Sequence, residues 1–475
     1  MQLAPPSRLR ACSPLQQMTA LIGLLLFFLP LVQAALIVPG AAWTDTTGNV
    51  IQAHGGGFLK VGSTYYWFGE DKSHNSALFK AVSCYTSSDL VTWTRQNDAL
   101  SPVSGTMIST SNIVERPKVI FNKANSEYVM WFHSDTSNYG AAQVGVARAT
   151  SPCGPYTFQS SFKPLGADSR DMGLYQDGED DIPSISQSND AAQTAYLLYA
   201  SDNNQNFKIS KLDSNYYNVV LQSSVLSGST LEAPGVLKRN GVYYLFASHT
   251  SGWDPNPNKF FTASTLAGPW SAQADIAPES VRTYFSQNAF DMSIQSNLSI
   301  YMGDRWRPTL LGSSTYIWYP LSWSTGVPQI VPADVWSIDL ATGTYTAASG
   351  VSYEAESGTV SGSATILSDS SFSGGKAVGY LGKGGSVTIN VQGVGVAQWV
   401  SLRYANGDSI WRNTTVSVNG GASVLVDQPN SGGGHVLLSV PVKLNLRSGT
   451  NSLAFSTNQN NYAADLDNII VYTAV

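Results

Sequence analysis

Three carboxylic acids and one carboxamide occupy equivalent places in four successive stretches of this chain. NIVERPKVIFN (112–122) carries Glu115, DSRDMGLYQD (168–177) carries Asp171, STLEAPGVLKRNGVYY (229–244) carries Glu232 and TYFSQNAFD (283–291) carries Gln287. Each stands ahead of, or close to, an aromatic-rich run. If the four stretches converge, their polar groups share one pocket. Hydrolysis of a glycosidic bond needs such a cluster: one carboxyl group protonates the leaving oxygen, and a partner assists water on the other face of the sugar. Arg116 and Arg170 adjoin two of the acids, so structural ion pairs are the competing reading of the same pattern.

The elements that must position these residues repeat. One phrase, an aromatic-rich strand ending in small or polar residues, recurs as GSTYYWFGE (62–70), SEYVMWFHSD (126–135), TAYLLYASD (194–202), GVYYLFASH (241–249) and LSIYMGDRW (298–306). A spacing on the order of 40–60 residues, built from strands and turns alone, signals sheets repeated around an axis. The expected fold is all-β: a five-bladed β-propeller over 35–349, with the polar residues ahead of each phrase near the axis. VPADVWSIDLATGTYT (331–346) reads as a closing strand pair. From Val351 the chain turns rich in Gly, Ser and Val, with short alternating strands such as SVTINV (386–391) and AQWVSLRYA (397–405). That predicts an antiparallel β-sandwich (jelly-roll) module over 350–475. No helix of ordinary length is expected after residue 34.

Composition narrows the function. Residues 1–34 read as a secretory signal peptide: Arg8 and Arg10 precede the apolar run LIGLLLFFLPLV (21–32), and Val32 and Ala34 supply the small residues of a cleavage site. The run is too short for a stable membrane span, so a secreted, extracellular protein with no membrane partner is expected. The net charge of −6 argues against nucleic acid. Cys84 and Cys153 remain after the signal, and one pair in an oxidising compartment suggests a disulfide. Asn297-Leu-Ser and Asn413-Thr-Thr are acceptors for N-glycosylation. Charged residues make up only 12% of a chain with 12 Trp and 23 Tyr, a balance that suits surfaces that stack on sugars as well as strand cores.

These residues resemble glycoside hydrolase family 43, whose five-bladed propeller carries an acidic glutamate in a Glu-Gly-Pro strand start. The match is Glu232-Ala233-Pro234, with Ala in place of the usual Gly. AHGGGFLKVGSTYYWFGE (53–70), ERPKV (115–119), SRDM (169–172) and FSQ (285–287) are similar to the family's exo-β-1,3-galactanase branch. The resemblance implies Glu232 as general acid and Asp171 as the group that adjusts its pKa and holds the sugar. Most family members place an aspartate base on the first inner strand, where this chain reads His54-Gly55-Gly56-Gly57. Gln287 matches the glutamine proposed to replace that base, and would act as its imidic tautomer or by orienting water. Glu70 and Glu115 compete for the same role, although in relatives these positions are thought to bind sugar. Tyr139, Asn204, Thr250 and Trp253 are matched positions that could line the pocket. His54 has no partner at metal-ligand spacing and reads as structural, with HGGG marking a tight backbone approach. DGEDDIPSISQS (177–188) reads as a solvated insertion.

In the small domain, VSYEAESGTVSG (351–362) opens with Glu354 and Glu356, and ADLDNIIVYTA (464–474) brings Asp467 onto the last strand. First and last strands commonly pair, so three carboxylates could share a hard cation, for which Ca²⁺ is suited. The domain resembles carbohydrate-binding module family 35, which implies Tyr380, Asn406, Arg412 and Asp465 as sugar contacts. The combined expectation is a secreted, monomeric exo-acting hydrolase that releases galactose from β-1,3-galactan with inversion. It would need no catalytic cofactor and would carry a structural Ca²⁺ in its module. An arabinan- or xylan-directed enzyme of the same fold, or a non-catalytic sugar-binding protein, are the alternatives.

Overall fold

The five aromatic phrases form strands buried on both faces, which is why they read as near-continuous apolar runs. In the computed structural model, which describes residues 35–178, 193–295 and 297–473, they are Thr64–Glu70, Glu127–Thr136, Thr194–Ser201, Val242–His249 and Leu298–Arg305. Each is the second strand of a four-stranded antiparallel sheet. The first strands are His54–Val61, Asn112–Asn122, Met172–Asp177, Leu231–Arg239 and Gln287–Ile294. Each of these contacts the first strand of the next sheet, and the fifth contacts the first, closing a cycle.

Hydrophobic clusters fill the spaces between neighbouring sheets. Phe68 and Cys84 pack with Met130 and Phe132; Trp131 and Val144 with Leu197 and Tyr199; Leu198 and Ile209 with Leu245 and Phe261; Phe246 and Phe260 with Tyr301 and Ile317. Phe58 and Trp67 meet Ile300 and Trp318 and complete the circuit. Removal of this apolar surface from water is the main force holding the sheets face to face. The predicted closing pair is present as Trp336–Asp339 and Thr344–Ala347, and Leu36–Ile37 joins it to make a small separate sheet.

Beyond Gly350 two sheets face each other. One contains Thr365–Ser368, Lys376–Gly379, Asp465–Tyr472, Ala397–Ala405 and Leu438–Asn445, with Gly350–Glu354 also paired to Asp465–Tyr472. The other contains Thr359–Ser361, Ser386–Gly393, Gly449–Ser456, Arg412–Val418 and Ser423–Gln428. Their alternating inward residues, among them Val387, Ile389, Leu402, Phe455 and Ile469, form one core. The architecture is all-β and consistent with a propeller plus a β-sandwich. Helical segments among the described residues are three or four residues long, and none is long and apolar enough to cross a membrane.

Two sequence expectations are decided locally. Cys84 and Cys153 are disulfide-bonded, with Cα atoms 5.6 Å apart. Asn413 is only 7% exposed, within a strand, and accepts from Thr457 Oγ1 at 2.9 Å. Burial removes it as a glycosylation acceptor, whereas Asn297 is exposed beside a hairpin turn. The signal peptide and residues 179–188 of the acidic stretch lie outside the described residues. Asp177, at the start of that stretch, takes Lys238 Nζ at 2.9 Å and the Tyr243 hydroxyl at 2.8 Å, so it ties neighbouring sheets together.

Candidate active site

A backbone irregularity repeated on the first strands aims the site residues. Pairing slips between His54 and Gly57, between Glu115 and Lys118, and between Glu232 and Gly235. The residue following His54, Glu115 and Glu232 is left-handed in each case: Gly55 at φ 56°, Arg116 at 56° and Ala233 at 52°. Such bulges bend a strand and turn a side chain out of the ladder. The family's usual glycine after the acid suits this conformation. Alanine holds it at a cost of roughly 1–2 kcal/mol. At Gly55 a Cβ would also meet Glu70 Oε1 at 2.2 Å, which explains the close approach read from HGGG.

The strand ends enclose a cavity of about 260 Å³ lined by Glu70, Glu115, Arg116, His133, Tyr139, Arg170, Asp171, Asn204, Glu232, Gly252, Trp253, Gln287 and Trp306. Gln287 links its members. Its Nε2 donates to Glu232 Oε1 at 2.8 Å and to Ser248 Oγ at 3.2 Å. Its Oε1 accepts from Arg116 Nη2 at 2.5 Å and from Trp306 Nε1 at 2.9 Å. Arg116 and Trp306 can only donate, which fixes the orientation of the amide. The imidic tautomer would place a hydrogen on Oε1, facing those two N–H groups. The surroundings therefore hold Gln287 as an ordinary amide, suited to orienting its neighbours. The direct contact also replaces the separation of about 6.5–9.5 Å expected between an acid and its water-side partner.

Each of the other acids is anchored. Arg116 Nε lies 3.0 Å from Asp171 Oδ2, so the ion pair runs between strands and not to the adjacent Glu115. Glu70 accepts the Arg116 backbone N–H at 2.9 Å and pairs with Lys72 Nζ at 2.8 Å. Glu115 accepts from the Tyr139 hydroxyl at 2.8 Å and stands 3.3 Å from His133 Nδ1, while His133 Nε2 is 2.8 Å from Asp135 Oδ2.

These contacts set the protonation states. Burial, reinforced by the charge of Asp171 and only partly offset by Arg116, pushes the Glu232 carboxyl up to about 8. Burial also acts to raise Glu115, but the hydrogen bond from His133 and the charges of Lys72 and His133 outweigh it and hold it at about 2. Burial would lower His133; its bonds to Asp135 and Glu115 bring it instead to about 9. The site thus carries one carboxyl group that is protonated at neutral pH beside one that is firmly ionised. That is the division of labour acid catalysis requires.

Of the residues expected here, Glu70, Glu115, Tyr139, Asp171, Asn204, Glu232, Trp253 and Gln287 line the cavity together. Thr250 does not; it sits on the loop after its strand, with its N–H on Thr230 O at 3.1 Å. His54 is structural as expected, fully buried, 3.1 Å from Asp304 Oδ1 and stacked on Tyr316. Sequence reasoning missed His133 and Trp306, which lie inside aromatic phrases and read as strand core. Trp306 meets Trp253 edge-on, with ring centroids 5.0 Å apart.

In the sandwich, Ser373 Oγ donates to Glu354 Oε1 at 2.8 Å and the Ser373 N–H to Asp467 Oδ1 at 2.7 Å. Glu354 Oε2 and Glu356 Oε2 are buried without a partner. Burial, with repulsion from Glu354 and Glu356, brings Asp467 up to about 6. Orphaned carboxylate oxygens of this kind fit a hard cation. The three acids are not drawn within 4.8 Å of one another, however. Among the described residues that spacing is met by Glu115, His133 and Asp171, whose contacts are already made by the neighbours named above. The expected sugar contacts divide. Tyr380 is 49% exposed, and its ring lies 5.3 Å from that of Tyr462. Asp465 is half-buried nearby. Asn406 is 2% exposed, with its amide on Ile410 O and Gln428 O, so it staples loops and is not open to a sugar. Arg412 is held by Asp408 and by the carbonyls of Tyr462 and Ala463.

Proton delivery to the leaving oxygen of a sugar is the chemistry this cavity is equipped for, and the protein is a glycoside hydrolase. It belongs to glycosyl hydrolases family 43, whose profile matches residues 56–290. Among solved structures, the exo-β-1,3-galactanase from Phanerochaete chrysosporium with β-1,3-galactotriose is 72% identical, with a TM-score of 0.88, covering 92% of this chain and 100% of that one. The same enzyme with galactose gives the same figures. The exo-β-1,3-galactanase from Clostridium thermocellum is 27% identical, with a TM-score of 0.61, covering 92% of this chain and 100% of its own. No curated protein sequence matches the chain.

Proposed function

We propose that this protein is a secreted, exo-acting galactan 1,3-β-galactosidase. It would remove galactose from the non-reducing end of β-1,3-galactan, as in arabinogalactan side chains, with inversion. The observation that carries the reading is a buried Glu232, held protonated at neutral pH and hydrogen-bonded to Gln287. Likeness to a galactanase bound to β-1,3-galactotriose supports the substrate.

In this reading Glu232 gives its proton to the glycosidic oxygen as the bond to C1 breaks, and the shortened galactan leaves as an alcohol. Glu115, kept ionised, offsets positive charge developing on the ring. Glu70, Glu115 and Asp171 are each engaged by cationic or hydroxyl partners. With the carboxylates held in this way, the reading is direct attack by water on C1, with inversion as the family resemblance implies, and the proton released by the water passes to Glu70 or Glu115. Gln287 orients Glu232. Tyr139, Asn204, Trp253 and Trp306 form the sugar-facing wall.

The five four-stranded sheets are read as the blades of a five-bladed propeller over 35–349. The sandwich over 350–475 is read as a carbohydrate-binding module of family 35 that holds Ca²⁺ through Glu354, Glu356 and Asp467 and meets sugar through Tyr380 and Asp465. Glycosylation is assigned to Asn297, and the working unit is a monomer. The test is to incubate the secreted protein with β-1,3-galactan, arabinan and xylan and to follow release by proton NMR. The expected result is galactose from galactan alone, appearing first as the α anomer. First-formed β-galactose would show retention, arabinose or xylose would redirect the substrate, and no release would leave a sugar-binding protein.

A further inference from the structure

Gln287 follows an unusual piece of backbone. Arg282, Thr283, Tyr284 and Phe285 are all left-handed, with φ of 45°, 54°, 55° and 55°. Four consecutive non-glycine residues do not adopt this conformation unless their surroundings impose it. Part of what imposes it lies in the propeller-like region. Arg305 donates to Tyr284 O at 2.8 Å and Phe285 O at 3.3 Å, and Thr283 Oγ1 accepts the Asn258 N–H at 2.8 Å. The rest lies in the sandwich. Phe285, two residues before Gln287, is buried in the sandwich core, and its ring meets Trp411 edge-on at 5.7 Å. Arg282 Nη2 donates to Asn430 O at 3.0 Å.

Another segment that touches Gln287 is anchored to the same ring. Trp306 donates to Gln287 Oε1, and the next residue, Arg307, lies over Trp411 at 5.2 Å and pairs with Asp427 at 2.5 Å. Trp411 therefore receives two of the chain segments that bear on Gln287: one two residues ahead of it, the other one residue beyond its indole partner.

We propose that Trp411 is a positioning residue of the active site, so that the sandwich holds Gln287 and Trp306 in place as well as serving any role in polymer capture. The inference rests on the galactosidase reading above. A module that only captures polymer has no effect on a substrate small enough to be held by the catalytic cavity alone, whereas a positioning residue does.

The test uses the full-length chain and β-1,3-galactobiose. Trp411→Ala is expected to lower kcat about 10–100-fold, the effect of small displacements at a catalytic group, with KM changed far less and the melting transition still cooperative. Trp411→Phe, which keeps a ring for Phe285 and Arg307, is expected to restore most of the rate. Wild-type kcat on galactobiose in a folded Trp411→Ala chain would overturn the inference, as would a loss seen on galactan alone. If Trp411→Ala does not fold, Asp427→Asn decides, because it removes only the partner of Arg307 at the interface. A kcat lowered several-fold at unchanged melting temperature supports positioning, and an unchanged kcat overturns it. A wild-type chain inert toward galactobiose would overturn the galactosidase reading and this inference with it. An active wild type with unimpaired variants overturns this inference alone.

Discussion

Gln287 Nε2 donates to Glu232 Oε1 at 2.8 Å, so the carboxamide and the acid of this site are in direct contact. Because the amide oxygen is committed to Arg116 and Trp306, the contact fixes which carboxyl oxygen of Glu232 accepts and leaves Oε2 to carry the proton.

Glu232→Gln removes the transferable proton while keeping the shape of the side chain. Galactan hydrolysis should fall about 10²–10⁴-fold. An aryl galactoside with a good leaving group should suffer less, because its departure needs little protonation. Initial rates on the two substrates decide it, and near wild-type rates on both would remove Glu232 from the mechanism.

The pH profile should report the same group. Glu232 works in its protonated form, and burial with the charge of Asp171 raises it to about 8. The rate kcat/KM should therefore hold through neutral pH and fall as pH rises through that value. Asp171→Asn removes the repelling charge, so Glu232 should ionise more easily and the alkaline limb should move to lower pH. An unmoved limb would assign it to another group.

Gln287→Ala takes the acceptor from two buried donors, Arg116 Nη2 and Trp306 Nε1, and a buried unsatisfied group costs about 1–3 kcal/mol. Turnover should be lost while galactose binding, measured by calorimetry, largely survives. Retained turnover would mean that Glu232 needs no partner.

Ala233 holds φ 52° immediately after the acid. Ala233→Gly should leave activity and melting temperature near wild type, since glycine accepts that conformation freely. Ala233→Val should lower the melting temperature, because a β-branched side chain is strained there. Equal stability of the two variants would show that the strand start relaxes.

Chelation should lower the melting temperature of the full chain if Ca²⁺ occupies the Glu354, Glu356 and Asp467 site, since an ion bound only to the folded form stabilises it by mass action. Glu354→Ala should abolish that sensitivity. A chelator-insensitive wild type would leave those acids as ordinary charges.

The periodic features were legible in the chain. Five aromatic phrases became the second strands of five four-stranded sheets, because a strand buried on both faces has to be apolar along its whole length. The polar residues just ahead of them met in one cavity, because residues at equivalent places on repeated strands end up at the same height around an axis. Glu354 and Asp467 came together because the strands carrying them pair, with Glu354 opposite Asn468. Partners and exposure came from long-range packing. Arg116 reaches Asp171 and not its neighbour Glu115 because a left-handed residue within a bulge turns its side chain out of the ladder. Asn406 and Asn413 look like available polar residues in the sequence but are buried and hydrogen-bonded. His133 and Trp306 read as strand core and instead face the site. The strand period says which face a residue occupies. What stands opposite that face is set by segments tens to hundreds of residues away, and no local pattern encodes it.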